Sequence, residues 1–223
     1  YHLPVILRPT TRVCHVGQDV ELPEINIKEA QARFDKGGDW VIFPSVSYRK
    51  HGELLSSLTA LSREFSASGL NWCEGQGEYA IACSGVSYHY VKEALGKLGL
   101  LDKTEILKIS TPYPFPEELA AGYLKRHKEV LVVEEQDPVV EDAILRLAGK
   151  NALPVKVSGK NDSIVPGIGE LNVDLITNAI AMWSGMGSVN VETMVKPELP
   201  IRRPILCAGC PHRASFYAIR KAA

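Results

Sequence analysis

Tyr79-Ala80-Ile81-Ala82-Cys83-Ser84-Gly85 is a continuous apolar run of strand length that stops at a Ser-Gly break. Beyond the break, apolar side chains recur at helical spacing, at Val91, Ala94, Leu95 and Leu98. An apolar run followed by this spacing predicts a buried strand and a helix that packs on it. This β-α unit is the first of a series, and the segments that precede and follow it can be assigned from it.

A second unit follows at residues 105–109, which form another strand-length run. The loop after this run contains three prolines, which exclude regular structure, and Glu117-Glu118 then favours the start of a helix. A third strand is predicted at residues 130–133, where Val-Leu-Val-Val suits burial on both faces. A fourth is predicted at residues 153–157. This alternation predicts an α/β fold with a doubly wound, mostly parallel sheet.

Between the third and fourth strands, Asp137-Pro138 suits an N-cap and a first-turn proline. The helix opened there is expected to bury Val139, Val140, Ala143, Ile144, Leu147 and Ala148. Outside the alternating module, residues 53–65 and 172–183 show helical periodicity. The segments 17–52 and 184–204 are interpreted as extended linkers, and residues 3–7 as a short strand.

Composition excludes several classes of protein. The 223 residues carry 25 Lys and Arg against 26 Asp and Glu, a net charge of −1, so the basic surface of a nucleic-acid binder is not expected. No apolar run approaches the length of about 18 residues that a membrane span needs. Five cysteines without disulfide spacing indicate a reducing cytoplasm. Tyr1 at one end and an unterminated helical run at the other predict that the chain is part of a longer protein.

Ligands of open parallel sheets bind outside the carboxyl ends of the strands. Here the third strand is followed by Glu134, Glu135 and Asp137, and carboxylates at this position repel a phosphate. Gly167-Ile168-Gly169 lacks both the third glycine and the preceding strand of a dinucleotide-binding turn. Nucleotide binding by the module is therefore disfavoured. The carboxylates remain open to two interpretations, as acid-base groups or as helix caps and solvated loop residues.

Two other clusters could carry chemistry. Cys207-Ala208-Gly209-Cys210-Pro211-His212 places two thiols in a C-x-x-C pair, which is half of a four-ligand zinc or iron-sulfur site. A redox pair or two free thiols are the alternatives. Residues 8–15 bring together hydroxyls, two guanidiniums and an imidazole. Because arginine offers a bidentate fork, this cluster suits a carboxylate ligand, with an ordinary surface loop as the alternative.

Four motifs in order resemble one family of enzymes. They are Pro4-Val5-Ile6-Leu7-Arg8-Pro9-Thr10-Thr11-Arg12-Val13-Cys14-His15, Cys83-Ser84-Gly85-Val86-Ser87-Tyr88, Val130-Leu131-Val132-Val133-Glu134-Glu135-Gln136-Asp137-Pro138-Val139-Val140-Glu141 and Cys207-Ala208-Gly209-Cys210-Pro211-His212-Arg213. Together they resemble the alpha subunits of the indolepyruvate ferredoxin oxidoreductases, which are thiamine-diphosphate enzymes of the 2-oxoacid:ferredoxin oxidoreductase group. The resemblance spans the whole chain.

The resemblance implies a division into domains. Residues 1–16 would be the tail of a pyrimidine-binding domain, 17–77 a linker and helix, and 78–183 a domain resembling the transketolase C-terminal domain. Residues 184–204 would be a linker, and 205–223 the start of the thiamine-diphosphate-binding domain. In such enzymes the middle domain is a scaffold and interface without the cofactor.

The resemblance also implies roles for single residues. Arg12 matches an arginine that faces the substrate carboxylate, with Thr11 and His15 beside it, whereas Cys207 and Cys210 match a pair that ligates an iron-sulfur cluster. The full enzyme would use thiamine diphosphate with Mg²⁺ and [4Fe-4S] clusters, a beta subunit, coenzyme A and ferredoxin to decarboxylate an aryl 2-oxoacid oxidatively. The part seen here lacks a Gly-Asp-Gly motif and an activating glutamate, so it is expected to bind no cofactor and to be inactive alone. A non-catalytic docking module, a different 2-oxoacid and a small metal or redox protein remain alternatives.

Overall fold

The computed structural model describes residue 1 and residues 3–25, 41–189, 200–201, 206 and 208–222. The chain divides into two compact units, residues 1–190 and residues 191–223. In the described part of the second unit, the regular element is helix α7 (Pro211–Ala222). The sequence also predicts a short strand at residues 204–206, before the cysteine pair, and of these residues only Leu206 is among those described.

The first unit is built on a mixed sheet. Its five described strands are β1 (Trp72–Gly75), β2 (Tyr79–Ser84), β3 (Thr104–Ile109), β4 (Glu129–Val133) and β5 (Lys156–Ser158). They lie in the order β1-β3-β2-β4-β5, and the pairs β2-β3, β2-β4 and β4-β5 are parallel. Only β1, at one edge, runs antiparallel to its neighbour β3. The predicted mostly parallel sheet is confirmed.

Helices cover both faces of this sheet. Helices α3 (Ser87–Leu98) and α6 (Val173–Trp183) share one apolar core with the sheet, and α4 (Glu117–Leu124) and α5 (Val139–Lys150) share the other. The doubly wound arrangement is therefore confirmed. Each fully buried leucine, isoleucine or valine of these cores contributes roughly 1.5–3 kcal/mol of transfer free energy. No helix of the described ranges is both long enough and apolar enough to span a bilayer.

The N-terminal part differs from the sequence-based prediction. Residues 3–7 form no strand, and Val5, Ile6 and Leu7 are all more than four-fifths exposed. In the described part of the sheet, no strand pairs with this run. Apolar and β-branched composition is not sufficient for a strand, because its backbone groups also need a hydrogen-bonding neighbour.

Two element boundaries also differ. Helix α2 (Pro44–Ala67) begins inside residues 17–52, which the sequence pattern predicts to be a linker, and it packs against α4. Pro44 is at the first position of this helix, where its missing N–H costs nothing. The predicted fourth strand begins only at Lys156, since Pro154 has no N–H for the ladder. Strand β1 was not predicted, because four residues with a charge and a terminal glycine show little periodicity.

Candidate functional site

The topology places a crevice at the carboxyl ends of β2 and β4. The chain passes from β2 to β3 on one side and then returns across β2 to β4 on the other side. The two crossovers therefore leave the sheet in opposite directions at the boundary between β2 and β4. In doubly wound folds, this switch point is where ligands bind.

In this structure the chain's own N-terminal segment, residues 8–15, lies at the crevice. It includes the short helix α1 (Thr11–His15), whose N-cap Thr10 accepts a long hydrogen bond of 3.5 Å from the N–H of Val13. A cleft of about 340 Å³ remains between the segment and the loops that follow β4 and β5. Its lining consists of Thr10, Thr11, Arg12, Glu135, Gln136, Asp137, Gly167, Gly169 and Glu170. Residues more than 120 positions apart in the sequence thus form one site.

The guanidinium of Arg12 is the centre of this site. Its Nη1 donates to the hydroxyl of Tyr90 at 2.9 Å and to the carbonyl oxygen of Leu171 at 3.2 Å, and its Nη2 donates to Oε2 of Glu170 at 2.7 Å. The hydrogen bond to Glu170 is the largest contribution that raises the pKa of Arg12 above its ordinary value. Arg12 is therefore a fixed cation at the carboxyl edge of the sheet.

The structure brings together two of the three residues predicted to bind substrate. Thr11 and Arg12 both line the cleft. His15 ends helix α1, is exposed, and is not part of the described lining. His15 lies four residues after Thr11, about 6 Å further along the helix axis, so it stands one turn beyond the first residue of α1 and outside the described lining.

The acidic residues after β4 have separate roles. Both carboxylate oxygens of the buried Glu134 accept hydrogen bonds from the N–H of Val140, at 2.9 and 3.0 Å, and one also accepts from the N–H of Glu141 at 2.9 Å. Glu134 therefore caps helix α5. The prediction of Asp137 as the N-cap is wrong, because Pro138 occupies that position and makes no side-chain cap. The prediction that Val139 is buried is also wrong, since it is 47% exposed.

The Glu134 cap decides which ligands the crevice fits. A helix N-terminus at a switch point is the usual binding position for a phosphate, because its N–H groups are free and its dipole is positive. Here a carboxylate of the chain already accepts from those N–H groups, and Glu135, Asp137 and Glu170 add negative charge around the cleft. The residues present at this crevice therefore do not fit a diphosphate.

Burial raises the pKa of the Glu134 carboxyl above its ordinary value of 4.5. A raised pKa in the folded state means that the ionised form is disfavoured by folding. The contribution of Glu134 to the free energy of unfolding is therefore fully present below about pH 4.5 and is lost as the pH rises through the raised pKa. We expect Glu134→Gln, which keeps an acceptor oxygen, to remove this fall in urea unfolding measured from pH 4 to pH 8.

Glu134→Ala is expected to behave differently from Glu134→Gln. It leaves two buried N–H groups unpaired, which costs about 2 kcal/mol at every pH. Glu118→Gln, at an exposed position in the first turn of α4, is the control for loss of a carboxylate. It should change neither the free energy of unfolding nor its dependence on pH. Equal pH profiles of the wild-type protein and Glu134→Gln would contradict the assignment.

A second buried carboxylate holds the loop that carries Glu170. Glu141 accepts hydrogen bonds from the backbone N–H of Lys160 at 2.7 Å and of Asn161 at 3.2 Å. At the other end of the loop, Glu135 accepts from the N–H of Leu171 at 3.2 Å. Both ends of the loop are thus fixed by carboxylates that follow β4.

The cysteine pair lies in the second unit. Cys207 lies outside the described residues, whereas Cys210 directly precedes α7 and its Sγ is 3.3 Å from Nδ1 of His212. Among the residues with described positions, no group of three or more His, Cys, Asp or Glu side chains could hold a metal ion. The described part therefore provides fewer than the four ligands that a cluster or structural zinc site requires.

The sequence patterns do not single out three residues of the site. Tyr90 and Glu170 bind Arg12, and Gln136 accepts a hydrogen bond of 2.7 Å from Arg8. No local pattern marks them, since each is separated from its partner by 78 or more residues. Only Gln136 could have been suspected from the sequence, because it follows a predicted strand and therefore lies at the carboxyl edge of the sheet.

Comparison with known proteins finds several relatives that share one name. No family model matches the chain. It is 39% identical over 227 residues to a protein of Methanothermobacter thermautotrophicus named indolepyruvate oxidoreductase subunit IorA, a match that covers 100% of this chain and 36% of the relative. Proteins of the same name from Pyrococcus horikoshii and Archaeoglobus fulgidus are both 37% identical, with 100% and 99% of this chain and 36% of each relative covered.

The chain thus spans about a third of the length of these curated relatives. Among solved structures, it is similar to a split-gene transketolase described as an inactive β4 tetramer. That match has a TM-score of 0.36 and 16% identity, and it covers 40% of this chain and 30% of the other.

Proposed function

This chain belongs to the family of the indolepyruvate oxidoreductase subunits IorA, and from that premise we propose that it is the central part of a 2-oxoacid oxidoreductase subunit. The observation that carries the proposal is the similarity of 37–39% identity over the whole chain to relatives of that name. The proposed boundaries are those predicted from the sequence, with residues 78–183 as the central domain between two partial neighbours. The proposed location is the cytoplasm, where the free thiols of Cys14, Cys73, Cys83 and Cys210 would stay reduced.

The proposed reaction is the oxidative decarboxylation of an aryl 2-oxoacid such as indolepyruvate. The substrate loses its carboxyl group as CO₂, the acyl group is transferred to the sulfur of coenzyme A, and the thiol proton is released. Two electrons reduce two ferredoxin molecules, with a beta subunit as the partner in the assembly. Thiamine diphosphate with Mg²⁺, bound elsewhere in the full subunit, would supply the carbanion chemistry. Because the crevice described here does not fit a diphosphate, no step of that chemistry is assigned to its residues.

The proposed role of Arg12 is to bind the substrate carboxylate, with Thr11 and His15 beside it. Its guanidinium has five N–H donors, and three hydrogen bonds to described residues leave two donors available. The side chain is 45% exposed, so a ligand can reach it. A carboxylate suits these donors, because an ionised acceptor makes the strongest hydrogen bonds with a guanidinium.

The remainder of the chain would serve as scaffold and interface. A non-catalytic docking module is the second candidate, and it is favoured by the occupation of the switch-point crevice by residues 8–15. In both cases the central domain holds the N-terminal segment and binds no nucleotide. The two candidates differ only in whether the full protein turns over a 2-oxoacid.

Activity of the full-length protein distinguishes them. The protein would be expressed anaerobically with its neighbouring subunit and assayed with indolepyruvate, coenzyme A, thiamine diphosphate and a viologen dye. We expect dye reduction that depends on all components. Reduction with pyruvate or 2-oxoglutarate but not with indolepyruvate would overturn the choice of substrate, and no reduction with any 2-oxoacid would favour the docking module.

Cys207 and Cys210 are proposed to supply two of the four ligands of an iron-sulfur cluster in the full subunit. We expect Cys207→Ser and Cys210→Ser each to lower the iron content and the broad visible absorption after anaerobic reconstitution. Cys14→Ser, which removes an exposed thiol from helix α1, is the matched control and should leave both unchanged. Equal iron and absorption in all three variants would contradict the proposed ligands.

A further inference from the structure

We propose that Glu170 and Tyr90 are positioning residues that clasp Arg12 and dock residues 8–15 in the switch-point crevice. This inference rests on the proposed function, because the docked segment carries the residues proposed to bind the substrate carboxylate. Glu170 and Tyr90 touch Arg12, and through it they determine where its remaining N–H donors point. Arg12, Tyr90, Glu170 and the carbonyl of Leu171 together form the clasp.

The clasp restrains Arg12 from several directions. Its three acceptors come from helix α3, from the side chain at the end of the loop after β5, and from a backbone carbonyl. A guanidinium is a rigid plane, so hydrogen bonds on both Nη atoms fix its orientation as well as its position. A lysine could place its charge near Glu170 but could not reproduce this orientation.

The acceptors themselves are well anchored. Leu171 is fully buried, and its N–H donates to Glu135. The next residue, Asn172, caps helix α6 by accepting from the N–H of Leu175 at 2.9 Å. Glu170 therefore precedes two residues that are locked into the core and the helix start. An exposed ion pair usually contributes little to stability. Here Glu170 is held in place by the fold, and Arg12 makes two further hydrogen bonds.

A second contact joins the same segment to the crevice. Nη2 of Arg8 donates to Oε1 of Gln136 at 2.7 Å. Gln136 has a φ of 58°, a left-handed conformation that is unfavourable for a residue with a side chain. Gln136→Gly relieves this conformation and also removes the acceptor, so it should loosen residues 8–15 without unfolding the domain.

The experiment is amide hydrogen exchange on the full-length protein, with the steady-state KM and kcat measured on the same samples. We expect Glu170→Gln, Tyr90→Phe and Gln136→Gly to speed exchange in residues 10–16 by about three- to tenfold. Tyr90→Phe and Gln136→Gly each remove one hydrogen bond to the segment, and Glu170→Gln replaces a charge-assisted bond with a weaker neutral one. Glu170→Gln and Tyr90→Phe should also raise KM for the 2-oxoacid by about threefold or more, with kcat changed less. Arg12→Lys should also exchange faster than the wild-type protein at residues 10–16, because lysine cannot reproduce the planar set of donors.

Glu53→Gln is the matched control, because Glu53 also pairs with an arginine at 2.7 Å on an exposed surface, in helix α2. It should leave exchange at residues 10–16 and KM unchanged. Unchanged exchange in Glu170→Gln and Tyr90→Phe would overturn the clasp. Faster exchange with an unchanged KM would overturn its positioning role. If the wild-type protein oxidises no 2-oxoacid but the variants still exchange faster, the proposed function fails and the docking remains.

Discussion

Arg12→Ala in the full-length enzyme is expected to raise the KM for the 2-oxoacid by about a hundredfold with little change in kcat. Loss of a charge-assisted hydrogen bond costs roughly 1.5–3 kcal/mol, and about 2.7 kcal/mol corresponds to a hundredfold change at 25 °C. In the proposed role, the guanidinium binds the carboxylate equally in the ground state and in the transition state, so its loss raises KM and leaves kcat little changed. The measurement is steady-state kinetics with indolepyruvate.

The fold should survive this substitution. The guanidinium of Arg12 is half-exposed, and two of its three acceptors, the hydroxyl of Tyr90 and the carboxylate of Glu170, accept at an exposed position where water can replace the arginine. Arg63→Ala is the control, because Arg63 is also an exposed arginine and has a weak ion pair of 3.7 Å with Glu118. It should leave KM unchanged. An unchanged KM in Arg12→Ala would remove Arg12 from the substrate site and leave it as a docking residue only.

The sequence predicted the centre of the sheet well for a physical reason. Strands β2 and β4 are buried on both faces, so their sequences are nearly continuous apolar runs, whereas the equally buried β3 also contains Glu105 and Lys108. Their helices bury one face only and therefore show the helical period. In both cases, burial of a single element produces a local pattern of apolar residues, and this pattern is visible in the sequence before the fold is known.

The edges of the molecule could not be predicted in this way. Residues 3–7 have the composition of a strand but no described strand partner, and β1 has a partner but little apolar pattern. At the start of α5, the local capping rule favoured Asp137, but the buried Glu134 provides the cap from within the turn that precedes it. Strand pairing and buried carboxylates depend on neighbours that only the folded chain brings together.

The candidate site was predictable in part. Residue chemistry singled out the polar cluster at residues 8–15, and within it the family resemblance singled out Thr11, Arg12 and His15. The strand-end rule singled out the acidic residues after β4. The contact between these two sets was not predictable, because Arg12 meets Glu170 across 158 positions of sequence. The crevice is recognisable from topology alone, but only the folded chain shows that its own N-terminal segment lies there.

Gly77→Ala is the second substitution expected to have a large effect, in this case on stability. A Cβ atom at Gly77 would lie 2.0 Å from the carbonyl oxygen and 2.1 Å from the carbonyl carbon of Lys103. These are backbone atoms of the turn directly before β3, so no side chain can rotate away. The connection between β1 and β2 must then move, which disturbs the pairing of β2 with β3. We expect a loss of about 3 kcal/mol or more.

Hydrogen exchange of the amides in β1 and β3 measures this loss locally, because both strands pair at the point of the clash. Gly96→Ala is the matched control, since Gly96 is exposed in helix α3 and a Cβ there meets nothing within 4 Å. Alanine in a helix interior is more favourable than glycine by up to about 1 kcal/mol, so this variant should be as stable as the wild type or more so. Equal protection of β1 and β3 in the two variants would mean that the β1–β2 connection can shift away from Lys103, and that its close approach to the turn does not determine the register of the sheet edge.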